Sequence, residues 1–272
     1  MYALDFEYDG HYLSDFGFII CDFNGSSGAQ TATIGSNITF NTVSRRRGTR
    51  YSLISTQYGD RLQTEFHICK DPELHDDMMI TNSEYRDLMR WLNRNEFLKF
   101  QVLYEYKDDT SREPCYFNAS FNIAKVTIGD VLYGLELNME TDRPFGYGEE
   151  QICKKKVLSA NTPITFYDTS DEFASSYVSM KIICADAGDV VIRSSPANTT
   201  TVIKNCMAGE EIFLDGDTLI ITTSRITHKI CQDFNFVFPK IHNSPENNAN
   251  KITISLPCSI EIKYTPIIKD IP

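Results

Sequence analysis

Residues 2–23 read YALDFEYDGHYLSDFGFIICDF, and the way this stretch alternates decides the class of fold. Leu4, Phe6 and Tyr8 fall on one face of a period-two pattern. Successive side chains of a strand point to opposite faces, so the pattern predicts a strand. Asp9-Gly10 then supplies a tight-turn signal, and Phe16–Phe23 is a second apolar run.

The same alternation recurs along the chain. LQTEFHICKDP (62–72) predicts a strand stopped by Pro72. FLKFQVLYEY (97–106), CYFNASFNIAKVTI (115–128) and VLYGLELNME (131–140) predict three more. Between them, residues 25–55 are rich in Gly, Ser and Thr and end in a basic cluster, which reads as a long connection or hairpin. One helix stands out. Thr81 with Glu84 three residues later makes a capping box. Tyr85, Leu88, Met89 and Leu92 then form one helical stripe, with Trp91 beside it as an anchor against a sheet.

TDRPFGYGEE (141–150) breaks the pattern with a proline, two glycines and two acids. It predicts a boundary between a domain at 1–146 and another at 147–272. Beyond it come short strands at regular spacing, among them 162–168, 177–185, 188–195, 233–239, 251–256 and 259–266, with an Asp-Gly turn in LDGDTL (214–219). That rhythm predicts an antiparallel sandwich. In DFNFVFP (233–239), Phe234, Phe236 and Phe238 are expected to form the inward face of one strand, with the Asn-rich stretch after them a surface hairpin loop.

Composition narrows the function. Hydrophobic residues make up 42% and charged residues 23%, as in folded soluble proteins. Net charge is −11; the chain up to residue 148 has 14 basic against 22 acidic residues, and the rest 12 against 15. Neither part has the basic footprint that neutralising phosphates needs. The start has acids where a secretory signal needs bases, and no apolar run is long enough to span a membrane. The eight cysteines lie at least 22 residues apart, so paired zinc or redox motifs are absent, and they read as reduced small hydrophobes made in a cytosol.

Catalytic patterns are missing as well. None of His11, His67, His75, His228 and His242 sits in an HExxH arrangement. His67 shares a strand face with Cys69, half a metal site at best and better read as a packed or surface pair. Adjacent acids such as Asp76-Asp77 and Asp108-Asp109 would point to opposite faces, not converge as glycosidase carboxylates must. No catalytic residue, metal ligand or cofactor is expected, and the chain reads as no enzyme. Arg45-Arg46-Arg47 is the one dense basic cluster; it fits either a solvated loop tip or a contact with carboxylates of a neighbouring acidic subunit.

Taken in order, F-x-Y-x-G-x-x-L-S-D-F-G-x-I-I (6–20), YRDLMRWLNRNEFLKF (85–100), ETDRPFGYG (140–148), GEEIFLDGDTLIITTS (209–224) and the final DFNFVFPKI…NKITI…IEIKYTP resemble the distal tail proteins of long, non-contractile-tailed phages. The resemblance spans essentially the whole chain. It implies a mainly β protein: an N-terminal β-sandwich or split-barrel domain with one helix, akin to tail-tube subunits, and a C-terminal galectin-like antiparallel β-sandwich. It implies a homohexameric ring in the virion, at the tail tip or baseplate, made in the host bacterial cytoplasm. Implied partners are the tail tube protein, the tail-associated fibre or lysin protein, the tape measure protein and, in many members, receptor-binding proteins; DNA only passes through. Arg45, Arg46 and Arg47 with Asp15, Phe16 and Gly17 are then candidates for the subunit interface, and Leu88, Trp91, Phe234, Phe236 and Phe238 for the core. The rival reading is a carbohydrate-binding module for host surface glycans.

Overall fold

The computed structural model describes residues 2–23, 38–45, 48, 50–59, 61–105 and 114–269. Of residues 2–4, 45, 104 and 105 only the backbone is described, so the inward placing of Leu4 falls outside it, as do Asp108 and Asp109. The chain divides into two compact units, the first up to Tyr147 and including Lys269, the second Gly148–Ile268.

In the first unit, β1 (Tyr2–Tyr8) turns through Asp9 and Gly10, at φ of 51° and 73°, into β2 (His11–Tyr12). Two successive left-handed residues are what a two-residue hairpin of the right twist requires. A 3-10 turn (Leu13–Phe16) leads to β3 (Phe18–Cys21). Then come the hairpin β4 (Ile38–Arg45) and β5 (Arg50–Tyr58), β6 (Gln63–Lys70), α1 (Asn82–Leu92), β7 (Leu98–Glu105), β8 (Phe117–Ile128), β9 (Val131–Thr141) and β10 (Gly146–Tyr147). Seven of these strands form one antiparallel sheet in the order β2-β1-β7-β8-β9-β6-β3.

The order forces the sheet to curl. β2 and β3 are its opposite edges, yet only the short turn separates them in the chain. Laid flat, the edges would stand about 29 Å apart at about 4.8 Å per strand spacing. The path from Tyr12 to Phe18 covers at most about 21 Å even when extended. The result is a split barrel.

The helix closes one face of it. Thr81 accepts the Glu84 N–H at 3.3 Å, and the Glu84 carboxylate takes the Thr81 N–H at 2.7 Å. Glu84 also meets Lys70 of β6 at 2.8 Å, tying the cap to the sheet. Leu88, Trp91 and Leu92 are buried among Phe6, Tyr8, Phe100, Phe121, Leu135 and Leu137. The Trp91 ring stacks on Phe6 at 5.6 Å and on Phe16 at 4.5 Å, and its Nε1–H donates to the Tyr8 carbonyl at 2.8 Å.

The second unit is a two-sheet sandwich. Its strands are β11 (Gln151–Val157), β12 (Ile164–Tyr167), β13 (Ser175–Tyr177), β14 (Ser179–Cys184), β15 (Gly188–Ser195), β16 (Thr199–Cys206), β17 (Glu211–Leu214), β18 (Ile221–Thr223), β19 (Lys240–His242), β20 (Ala249–Ile254), β21 (Cys258–Tyr264) and β22 (Ile267–Ile268). A five-stranded sheet, β11-β21-β14-β17-β18, faces a four-stranded one, β12-β20-β15-β16. Alternate residues such as Met180, Ile182, Val190, Ile192, Ile252, Ile254, Ile260 and Ile262 fill the space between them.

One expectation fails here. Residues 233–239 are not a strand, and Phe236 is not in the core. A four-residue helix, α2 (Ile230–Asp233), precedes a single bridge from Phe234 to Ile203. Phe234 and Phe238 are buried and pack edge-on at 5.2 Å, but Phe236 is 68% exposed. The cause is backbone: Phe236 has φ +57°, which turns it outward and breaks the two-residue period. Asn235 takes over the ladder's work. Its Oδ1 accepts from the N–H groups of Val202 and Val237, and its Nδ2 donates to the Thr200 carbonyl.

Leu88→Ala is expected to cost the first unit about 2–5 kcal/mol, because its fully buried side chain would leave a cavity under the barrel. Chemical denaturation followed by intrinsic fluorescence should show the transition that reports Trp91 moving to lower denaturant, while the second unit's transition stays in place.

Candidate functional site

The β4–β5 hairpin is the most unusual surface of the first unit. It forms its own two-stranded sheet and joins neither edge of the larger one. Ile38, Phe40, Val43, Tyr51, Leu53 and Ile54 on it are 44–69% exposed. A lone two-stranded hairpin is marginal in water, and six apolar side chains on one such element make a patch that calls for a covering surface. Its base is fixed: Tyr58 packs edge-on against buried Phe145 at 4.6 Å. Arg45 ends β4 at the far end of the hairpin. The Arg45 side chain, Arg46 and Arg47 lie outside the described residues.

Asp15, Phe16 and Gly17 have local tasks. Asp15 accepts the Tyr12 N–H at 3.0 Å, and Phe16 covers Trp91. Gly17 sits at φ 75°, where a Cβ would come within 2.6 Å of His75 Nε2. Of the three, Asp15 stays exposed at the surface.

In the second unit, the Asn-rich loop after β19 lines an open cleft of about 580 Å3 together with Tyr167, Asp168 and Phe173. Its asparagines are already committed. Asn243 Nδ2 donates to the Ser170 and Glu172 carbonyls, and Asn248 Nδ2 to the Asp168 carbonyl. Asn247 Oδ1 accepts from Ala249 N–H, and Asn250 bridges both backbone groups of His242. These amides build the turn and leave little to grip a sugar. The exposed aromatics Tyr167, Phe173, Tyr177, Phe213 and Phe236 come from five separate segments, not from one row on one sheet.

The nearest thing to a catalytic constellation is sealed. His228 Nδ1 meets Glu210 Oε1 at 2.5 Å, and its Nε2 meets the Lys204 carbonyl at 2.9 Å and Asp233 Oδ2 at 3.4 Å. Both nitrogens thus face oxygen atoms of the cluster. The two side chains are 0–1% exposed, so no substrate reaches them. Burial pushes the Glu210 carboxyl up, but hydrogen bonds from Thr223, His228 and the Met207 N–H outweigh it and hold the group below the usual glutamate range. The cluster knots α2 and β18 onto the sandwich. No sequence spacing announced it, because Glu210 and His228 lie in the loops before β17 and α2, 18 residues apart, and meet only through the packing of the unit.

Comparison with known proteins follows the same division. A family model described as a phage tail protein N-terminal domain matches residues 1–143, and one described as a phage tail C-terminal domain matches residues 145–264. Among solved structures, the Dit protein of SPP1, described as a paradigm of the hub adsorption apparatus in phages infecting Gram-positive bacteria, is similar with a TM-score of 0.63. The likeness covers 97% of this chain and 99% of that one at 13% identity, and is one of fold. No curated protein matches the sequence.

The buried pair gives a pH test. A carboxyl held below its ordinary value contributes stability that is present above about pH 4.3, the ordinary glutamate value, and is lost as pH falls through the lower folded value. Glu210→Gln is expected to destabilise the second unit at pH 7 by about 3–5 kcal/mol, as removing one partner of a buried pair does. It should also flatten the unit's loss of stability on acidification. Melting curves between pH 3 and 7 (a range chosen to bracket about 4.3) would show an unchanged acid profile if Glu210 had no such role.

Proposed function

Since the chain belongs to this family of phage tail proteins, we propose that it is the distal tail hub of a long, non-contractile tail. In this reading six copies close into a ring that joins the tail tube to the tail tip. The first unit makes the ring, and the second, a galectin-like sandwich, lies on the outside. The ring meets the tail tube and tape measure proteins on one side and the fibre or lysin protein on the other, and is a hub for host-adsorption proteins. It carries no catalytic activity of its own.

The observation that carries the proposal is the exposed β4–β5 hairpin, an apolar element with nothing of its own chain to cover it among the described residues. A ring built by rotation needs one patch on each subunit that fits a different patch on the next. The hairpin supplies the first patch. Arg45, which ends β4, and Arg46 and Arg47 after it in the sequence would find carboxylates on a neighbour whose net charge is −11, and the Asp15–Gly17 turn is a second candidate contact. The acidic excess up to residue 148 suits a channel that DNA crosses without sticking. Assembly in the host cytoplasm agrees with eight free cysteines.

Light scattering of the purified chain, with negative-stain images of the same peak, is expected to give a sixfold ring with a central channel. A monomer both alone and mixed with the tail tube protein would reject the hub. Replacing Arg45, Arg46 and Arg47 together by alanine should weaken the ring while both units keep their melting transitions; an unchanged hexamer would return the cluster to solvent.

A further inference from the structure

The outer face of the seven-stranded sheet brings together three side chains of metal-ligating type. Glu65 and His67 lie two residues apart on β6 and so share a face. Glu136 on β9 is the direct partner of His67, and Asn138 that of Glu65. The opposite face carries Phe66, Ile68, Leu135 and Leu137, which belong to the core. The register therefore fixes the three ligands on the outer side; a one-residue slip would bury them.

Their geometry is that of a site. One ligand atom each of Glu65, His67 and Glu136 lies within 4.8 Å of the other two. His67 Nε2 stands 3.8 Å from Glu136 Oε2, too far for a hydrogen bond and within the span of two metal–ligand bonds of about 2.0–2.2 Å each. The other Glu136 oxygen, Oε1, accepts a 2.8 Å hydrogen bond from Asn138, the kind of outer contact that orients a ligating carboxylate. Phe23 stands edge-on to the His67 ring at 5.7 Å and 82°, which fixes its plane. The His67 side chain is only 14% exposed, yet among the described residues neither of its nitrogens has a hydrogen-bond partner. Glu65 has none either, and no lysine or arginine there pairs with Glu65 or Glu136. Two carboxylates beside one another repel, and a shared cation removes that cost.

We infer that Glu65, His67 and Glu136 bind one borderline divalent transition-metal ion of the Zn2+ type, leaving its remaining positions to water. The imidazole disfavours calcium and magnesium, which take oxygen ligands. Two thiols lie close by: Cys69 is two residues beyond His67 on β6, and Cys21 is the partner of His67 across β3. The site is assigned to nitrogen and oxygen ligands, and the test separates these from sulfur.

The full chain, stripped with a chelator and kept reduced, is titrated with Zn2+ by calorimetry and with Co2+ by absorption. One ion per chain is expected, with the weak visible bands of nitrogen and oxygen ligation and no thiolate-to-cobalt charge-transfer band. His67→Gln and Glu65→Gln should each weaken binding about tenfold or more. Glu65 is exposed, so its variant remains informative if the His67 change disturbs folding. Absence of saturable binding, a thiolate spectrum, or equal affinity in the Glu65 variant would each overturn the site. Ring assembly does not enter the readout, so its failure leaves this test intact.

Discussion

The first unit depends on where the Trp91 indole is held. Phe6 and Phe16 both stack on the ring, and the ring nitrogen donates to the Tyr8 carbonyl. These three partners come from β1 and from the turn that links the two edges of the sheet. One side chain of α1 thus fastens the helix, the first strand and the turn that bridges the split. Because the carbonyl it takes belongs to the residue just before the Asp9-Gly10 turn, the indole also satisfies a backbone group where the hairpin leaves the sheet. Buried donors and acceptors without partners are costly, so this bond fixes the helix's position and not only its burial.

Local signals were legible in the sequence. The Thr81–Glu84 box, the stripe at Leu88 and Leu92 and the Asp9-Gly10 turn each need only residues a few positions apart. So do most strands of the second unit. The misses share a different cause. β11 has three lysines in seven residues and hides its alternation, since an edge strand can keep charge on the exposed side. The run at 233–239 looks like a strand, but one left-handed residue at Phe236 cancels the pattern, and sequence periodicity carries no information on φ. Glu65 and Glu136 meet only through strand register, and Glu210 and His228, in the loops just before β17 and α2, only through the packing of the unit. Glu65 and His67 share a face of β6 and could be read together, but Glu136 lies on β9 and no local spacing points to it.

The second unit shows how asparagine serves structure where it suggests a binding site. Asn235, Asn243, Asn248 and Asn250 each place a primary amide against backbone groups that the ladders leave open. The amide carries a donor and an acceptor, as a peptide does, and can stand in for one. Family models described as phage tail domains cover both parts of the chain, and the likeness to the SPP1 protein is one of fold, which does not by itself assign a site to these asparagines.

The hairpin has a consequence for the life of the free subunit. Among the described strands, β4 and β5 pair only with each other, which leaves each an outer edge, and 38–45 and 50–58 contain no lysine, aspartate or glutamate to repel another strand. Proteins usually blunt such edges with charge or cover, because an open edge recruits any extended chain. In the proposed ring, closure would cover these edges, so ordered assembly and disordered strand addition would compete for the same surface, both faster at higher concentration.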